Sequence, residues 1–285
     1  MSAPRRTQFW LGEVDPLPLA LYRAGLGALL CAEGLQRLPH AAELFSDVGF
    51  HRSRFVVPVP SPTVAYATVL ASAAAAAAMA LGWRTRLSTL VALALWGWLY
   101  AIDQIGERAL HSIALVALAM VALSDAGAAL SLDARRRGAR AAVWATPLRL
   151  LQLQFAQVYL FAGLVKLRAP GWLDGVVLAR AMSSRWATDA GLWAARVAPD
   201  AAWRWVARGA VAYELVAPIL LFVPRARRWV IAAGVALHLG VEATLGVGWL
   251  GWHFVLALLT LYPSPEGLRR FLKTTGRAAR RLRRA

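Results

Sequence analysis

The sequence is short of most of what a disulfide-built or metal-centred protein needs. One cysteine, Cys31, stands in an apolar run, so there is no disulfide framework, no cysteine zinc site and no iron–sulfur spacing. Five histidines without clustered repeats argue against a histidine-box di-iron oxidase, and His238-Leu-Gly-Val-Glu242 is not H-E-x-x-H. No G-x-S-x-G and no phosphate-binding loop occur, which leaves hydrolase and nucleotide readings without a residue to stand on. Charge is scarce as well: 16% of the 285 residues are charged and 59% hydrophobic, a balance too apolar for a soluble domain of this length. The charge present is mostly of one sign, 32 Lys and Arg against 15 Asp and Glu. In a soluble protein that excess would point to nucleic acid. In a chain this apolar, membrane topology accounts for it, and no nucleic-acid partner is expected.

A membrane span needs about 20 mostly apolar residues to cross about 30 Å of hydrocarbon. Cutting the chain at proline, glycine and charge clusters leaves eight such runs: Leu17 to Leu38, Pro62 to Leu81, Leu87 to Ala101, Leu110 to Leu123, Leu148 to Leu167, Trp203 to Val223, Trp229 to Leu245, and Trp249 to Tyr262. The expected fold is an all-α, polytopic transmembrane helix bundle of about eight spans. The first run begins only after Asp15 and Pro16 and is longer than the apolar part of a signal peptide, so it is expected to stay in the mature protein. With the N-terminus and the C-terminus both cytoplasmic, Arg84/Arg86, Arg135 to Arg149, Arg225/Arg227/Arg228 and the tail Arg269 to Arg284 face the cytoplasm. Together with Arg5 and Arg6 they hold twenty of the 32 cations there, as the positive-inside rule asks. Seven spans would turn the tail outward against that rule. Residues 1–285 thus read as a single membrane domain of the plasma (inner) membrane, with its core at about 15–265 and a basic cytoplasmic tail at 266–285. The alanine run 73–78 reads as a close-packing helix face. Segment 174–200 reads as one or two amphipathic helices at the outer interface.

Ionisable groups inside spans are costly and mark either function or an internal ion pair. They are Arg23, Glu33, Lys166, Glu214, His238, Glu242 and His253, with His111 at the start of the fourth span. In the eight-span orientation His111, Lys166, Glu242 and His253 fall in the outer leaflet, and His238 lies about 12 Å deep at about 1.5 Å per residue. His238 and Glu242, four apart, share a helix face. Each group also has a plainer reading. Lys166, near a helix end, would snorkel to the headgroups. Arg23 and Glu33 stand about 15 Å apart along a helix, so they would contact other spans rather than each other. His253 beside Trp252 would join an interfacial aromatic belt, Glu214 would cap or orient a neighbour, and His40 and His51 lie in a loop. Imidazole and carboxylate groups at His111, His238, Glu242 and His253 suit zinc or iron, but their spacing follows no metal motif and no metal is expected.

The string Phe161-Ala-Gly-Leu-Val-Lys166-Leu-Arg-Ala-Pro-Gly-Trp172-Leu-Asp-Gly175 resembles the lysine-bearing segment of the vitamin K-dependent gamma-carboxylase superfamily, whose membrane half is the HTTM domain. The resemblance extends over roughly residues 15 to 265. Leu17-Pro-Leu-Ala-Leu-Tyr-Arg23-Ala-Gly-Leu-Gly27 is similar to the family's opening motif and Leu81-Gly-Trp-Arg84-Thr-Arg86 to its second cytoplasmic turn. His111-Ser112 followed by Ser131-Leu-Asp133 resembles its histidine span and exit, Ser184-Arg185-Trp186 its outer Arg-x-Trp segment, and His238 with Gly246-Val-Gly248 its closing histidine helix.

What the resemblance implies is an enzyme of the carboxylase type. It would act on a reduced naphthoquinone (vitamin K or menaquinol type) with O2, and with CO2 if it carboxylates. Lys166 would be the base and His111 would assist at the quinone oxygens as the second catalytic residue. His238, Tyr159 and Trp172 would bind the quinone, with Glu242, Arg185, Trp186 and Glu214 supporting the site or its substrate. A lysine serves as a base near neutral pH only where its surroundings disfavour the ammonium, and an apolar pocket with few polar groups also suits a quinone. The chain departs from the family in two places. Val165-Lys166 stands for a lysine pair, and Ala109-Leu110 stands for paired asparagines, which touches quinone positioning. It is also expected to lack the extramembrane domain that binds protein substrates, so the substrate side calls for segment 168–202 or a partner protein. Besides the bilayer and a membrane quinone, the partners to expect are a secreted peptide or such a partner protein. Two other classes fit the same residues: a partner-dependent peptide-maturation or export protein without quinone chemistry, and a non-enzymatic binder of an amphiphile.

Overall fold

The computed structural model describes residues 5–50, 57–103 and 108–282; for 5–6, 108–110 and 275–282 it describes the backbone alone. His51, Arg283 and Arg284 lie outside the described residues. The chain forms two compact units, residues 1–151 with 264–285, and residues 152–263.

The first unit holds α1 (Arg5–Leu11), α2 (Leu17–Arg37), a 3-10 turn (Leu38–His40), α3 (Ala41–Phe45), α4 (Pro62–Leu81), α5 (Thr85–Ile102), α6 (Arg108–Leu123) and α7 (Leu132–Arg137). The unit boundary falls within α8 (Ala145–Arg168). In the second unit follow α9 (Val176–Ala181), α10 (Asp189–Val197), α11 (Asp200–Leu220), α12 (Pro224–Thr244) and α13 (Trp249–Thr260); α14 (Pro265–Leu282) belongs to the first. The only ladder among the described residues is two residues long, β1 (Glu13–Val14) antiparallel to β2 (Val143–Trp144).

Each of the eight expected runs is a helix, and proline opens several of them. Pro62, Pro224 and Pro265 stand at first helical positions, where the missing N–H has no helical partner to lose. Gly82 closes α4 in the left-handed region (φ 67°) and donates to the carbonyls of Ala78 and Met79, a glycine C-cap. Among the described residues three helices, α4, α5 and α8, are long and apolar enough to cross a membrane by length and composition. The other expected spans are less apolar or shorter, for two physical reasons. α2, α11 and α12 have 21 residues each but are interrupted by charged groups, and α6 and α13 have 16 and 12, under the thickness of a hydrocarbon core.

The alanine run does pack closely. A Cβ on Gly27 of α2 would lie 2.6 Å from the carbonyl of Ala76, and one on Gly34 would lie 3.0 Å from the Ala73 Cβ. Small residues on both helices let α2 and α4 approach to backbone contact. Segment 174–200 contains two short helices, α9 and α10, as its amphipathic pattern suggests, and the basic tail is helical as α14, tied to the unit by the Arg269 to Asp15 ion pair.

Candidate functional site

In the second unit α8 contributes Tyr159 and Lys166, seven residues and so about two turns apart, hence on one helix face. Lys166 does not simply reach for headgroups. Its ammonium forms an ion pair with Glu214 of α11 and stands 5.2 Å from the centre of the Trp172 ring. Gly163, one turn before Lys166, makes that pairing reachable. A Cβ there would meet the Leu215 side chain at 2.9 Å and the Glu214 Cβ at 3.1 Å, so glycine brings α11 against this face. Glu214 is buried, and its second oxygen, Oε2, has no hydrogen-bond partner among the described residues.

Two turns back along α8 the site becomes aromatic. The Tyr159 hydroxyl stands 2.8 Å from His238 Nε2. The His238 ring stacks on Phe254 of α13, with centroids 4.7 Å apart and planes 14° apart. Tyr159 also meets Phe254 at 5.0 Å and Tyr213 edge-on at 5.5 Å. Tyr213 bonds the carbonyl of Val230 at 3.3 Å, and its hydroxyl occupies the place where a Cβ on Gly234 would stand. Tyr213 and Phe254 are absent from the set read out of the sequence. The available signal was adjacency, since each neighbours an expected residue, Glu214 and His253.

The remaining expected residues hold other places. Glu242 accepts from the Gly251 N–H at 3.0 Å, an anion at the start of α13 where unpaired N–H groups favour one. Arg185 lies over Trp186 at 4.9 Å, and the Trp186 carbonyl accepts from Gly246 N–H at 2.7 Å. This pair therefore supports the turn after α12, and among the described residues it makes no hydrogen bond or ring contact with the Lys166 set. The aromatic-belt reading of His253 is corrected. Its ring is buried and meets Phe155 edge-on at 5.2 Å, because α13 turns this face inward. Among the described residues no three His, Cys, Asp or Glu side chains come together as a metal site would require.

His111 belongs to the first unit. Its Nε2 is 3.1 Å from Glu33 Oε1, which Arg37 also contacts at 3.0 Å, and its ring stacks on Trp96 at 5.6 Å. Glu33 is therefore paired across helices, as its position within a span led one to expect. So is Arg23, which donates to the carbonyls of Met79, Ala80, Ala126 and Leu130. His40 ends the 3-10 turn, 3.8 Å from Glu43.

Apolar helices with paired internal charges define the class, a helical membrane protein. The HTTM domain family matches residues 12–266, and the chain belongs to that family, within the carboxylase-like superfamily. No curated protein and no solved structure matches the chain.

Proposed function

We propose that the chain is an integral membrane enzyme of the vitamin K-dependent carboxylase-like type. It couples oxidation (epoxidation) of a reduced naphthoquinone to modification, such as carboxylation, of a peptide or small substrate. The single observation that carries the reading is the Lys166–Glu214 pair set beside the aromatic wall of Tyr159, His238 and Phe254. A flat, bicyclic, mostly apolar ring matches such a wall, since aromatic groups favour offset or edge-on contact. The buried Glu214 Oε2 supplies an acceptor with no competing protein donor among the described residues. The quinol, when bound, supplies the electrons and the reaction with O2.

Lys166 provides the proton transfer in this reading. Passing the Nζ proton to Glu214 Oε1 leaves a neutral amine beside a neutral acid. Poorly solvated surroundings keep the cost of that exchange small, since two charges out of water are themselves expensive. The free Nζ then removes the hydroxyl proton of the quinol. Tyr159 holds the His238 ring in one orientation and so sets the wall against which the quinol lies. Trp172 covers the ammonium from the outer-segment side. His111 keeps the catalytic role that the family resemblance implies, held in place by Glu33.

The topology proposed with it has eight spans, both termini cytoplasmic, in the plasma (inner) membrane. The Lys166 end of α8 then opens to the extracytoplasmic face.

The test is mass spectrometry of lipid extracts after aerobic incubation of the purified protein with a reduced naphthoquinone. Wild type is expected to form the quinone epoxide. Lys166→Ala, folded by the same size-exclusion profile, is expected to form it at least about 100-fold more slowly, the scale of a lost general base. No epoxide from folded wild type, or equal epoxide from both proteins, overturns the reading.

A further inference from the structure

A second polar site lies in the same unit, where α9 packs against the start of α11. Gly175 (φ 79°) makes the contact possible, since a Cβ there would stand 2.5 Å from the backbone of Trp203 and Arg204. The result is a cleft of about 430 Å³, lined by Asp174, Arg180, Ser183, Asp200, Trp203 and Arg204 among others. That volume is in the range of small-molecule sites, about 300–1,000 Å³.

The charges around it are unusual in being unspent. None of Asp174, Arg180, Asp200 and Arg204 makes an ion pair or a side-chain hydrogen bond among the described residues. Two cations and two anions thus face one cleft without neutralising each other. Its floor is Trp203, whose side chain is buried. Around it the segment exposes Val176, Trp186, Trp193, Val197, Trp205 and Val206. Tryptophans bared among aliphatic side chains mark the level of lipid headgroups.

We propose that this cleft binds a phosphoethanolamine group, the headgroup of phosphatidylethanolamine. The phosphate matches Arg180 and Arg204, because guanidinium groups bond phosphate oxygens through parallel N–H donors. The primary ammonium matches Asp174 and Asp200 and lies over the Trp203 ring, which attracts cations. The two neighbouring lipid chemistries fit less well. Phosphatidylglycerol leaves both carboxylates without a cation, and the quaternary ammonium of phosphatidylcholine offers them no N–H. The ligand is independent of the proposed quinone chemistry, since the Lys166 set shares no residue with the cleft.

Native mass spectrometry of the full chain in detergent, with equimolar phosphatidylethanolamine, phosphatidylcholine and phosphatidylglycerol, tests this. Wild type is expected to retain phosphatidylethanolamine about tenfold better than the other two, the equivalent of about 1.4 kcal/mol. The double variant Arg180→Ala/Arg204→Ala is expected to lose that retention. Asp174→Asn/Asp200→Asn is expected to keep phosphate binding and lose the preference over phosphatidylglycerol. All four positions are exposed, and an unchanged unfolding temperature in the same detergent shows that the variants fold. Competition with water-soluble glycerophosphoethanolamine separates the sources. Displacement at millimolar concentration assigns the headgroup to a soluble ligand as well as to lipid, and no displacement assigns it to lipid alone. Equal retention of all three lipids by wild type, or unchanged retention in both double variants, overturns the proposal.

Discussion

Arg23 is wholly buried in the first unit, and its partners are backbone carbonyls: Ala80 at 2.7 Å, Leu130 at 2.8 Å, Ala126 at 3.1 Å, and Met79. Met79 and Ala80 lie in the last turn of α4, so the guanidinium meets the negative end of that helix, sharing the Met79 carbonyl with the Gly82 N–H. A planar fork with five donors can serve such carbonyls, whereas a lysine offers a point charge on a flexible stem. Arg23→Ala is expected to strand these acceptors and cost at least about 3 kcal/mol. Arg23→Lys is expected to recover less than half of the loss, read as the unfolding temperature in detergent. A wild-type melting curve for Arg23→Ala would show that the carbonyls find other donors. Lys166 contrasts with Arg23 at this scale. It is 23% exposed in its side chain, pairs with a carboxylate and faces an aromatic ring.

At the level of elements, helix ends hold the first unit in register. Asp133, at the start of α7, accepts from the Arg84 N–H at 3.0 Å, the Thr85 N–H at 2.7 Å and the Thr85 hydroxyl at 2.8 Å, and so caps α5 from another helix. Burial works to raise the Asp133 pKa, but the hydrogen bonds from Thr85 and Arg84, with the nearby Arg137, outweigh it and hold the carboxyl below its ordinary 3.8. A carboxylate depressed in the folded state contributes stability above its unfolded value, and that contribution is lost as pH falls through the folded value. The unfolding temperature of wild type is therefore expected to exceed that of Asp133→Asn at pH 6, with the gap closing as pH drops below about 3.8. A gap that stayed constant from pH 6 to pH 3 would show that the charge of Asp133 is not what caps α5. Glycine has the same organising part between helices: Gly27 and Gly34 admit α4 to α2, and Gly163 admits Glu214 to Lys166.

For the whole molecule, the charge distribution makes the most direct prediction, the sidedness of its loops. In a Cys31→Ala background, Ala190→Cys in α10 is expected to react with a membrane-impermeant maleimide in intact cells. Ala139→Cys, after α7, is expected to react only once the membrane is opened. The reverse pattern would invert the proposed orientation, and labelling of both from outside would exclude an odd number of spans between Ala139 and Ala190.

What the sequence by itself determined was the helices and the family. Apolar runs bounded by proline, glycine and arginine mark helices through local physics, and the ordered motifs around Arg23, His111, Lys166 and His238 carry the HTTM resemblance. The tertiary structure alone decided which polar group meets which. Lys166 meets Glu214 from 48 residues away, Tyr159 meets His238 from 79, and Arg23 reaches Leu130 from 107. Spacing along a helix could place His238 and Glu242 on one face, yet their partners come from α8 and α13, and His253 turned from a belt residue into a core one for the same reason. Burial makes polar pairing obligatory, but the partner is chosen by how helices pack, and here packing depends on a few glycines whose missing Cβ atoms decide which faces touch.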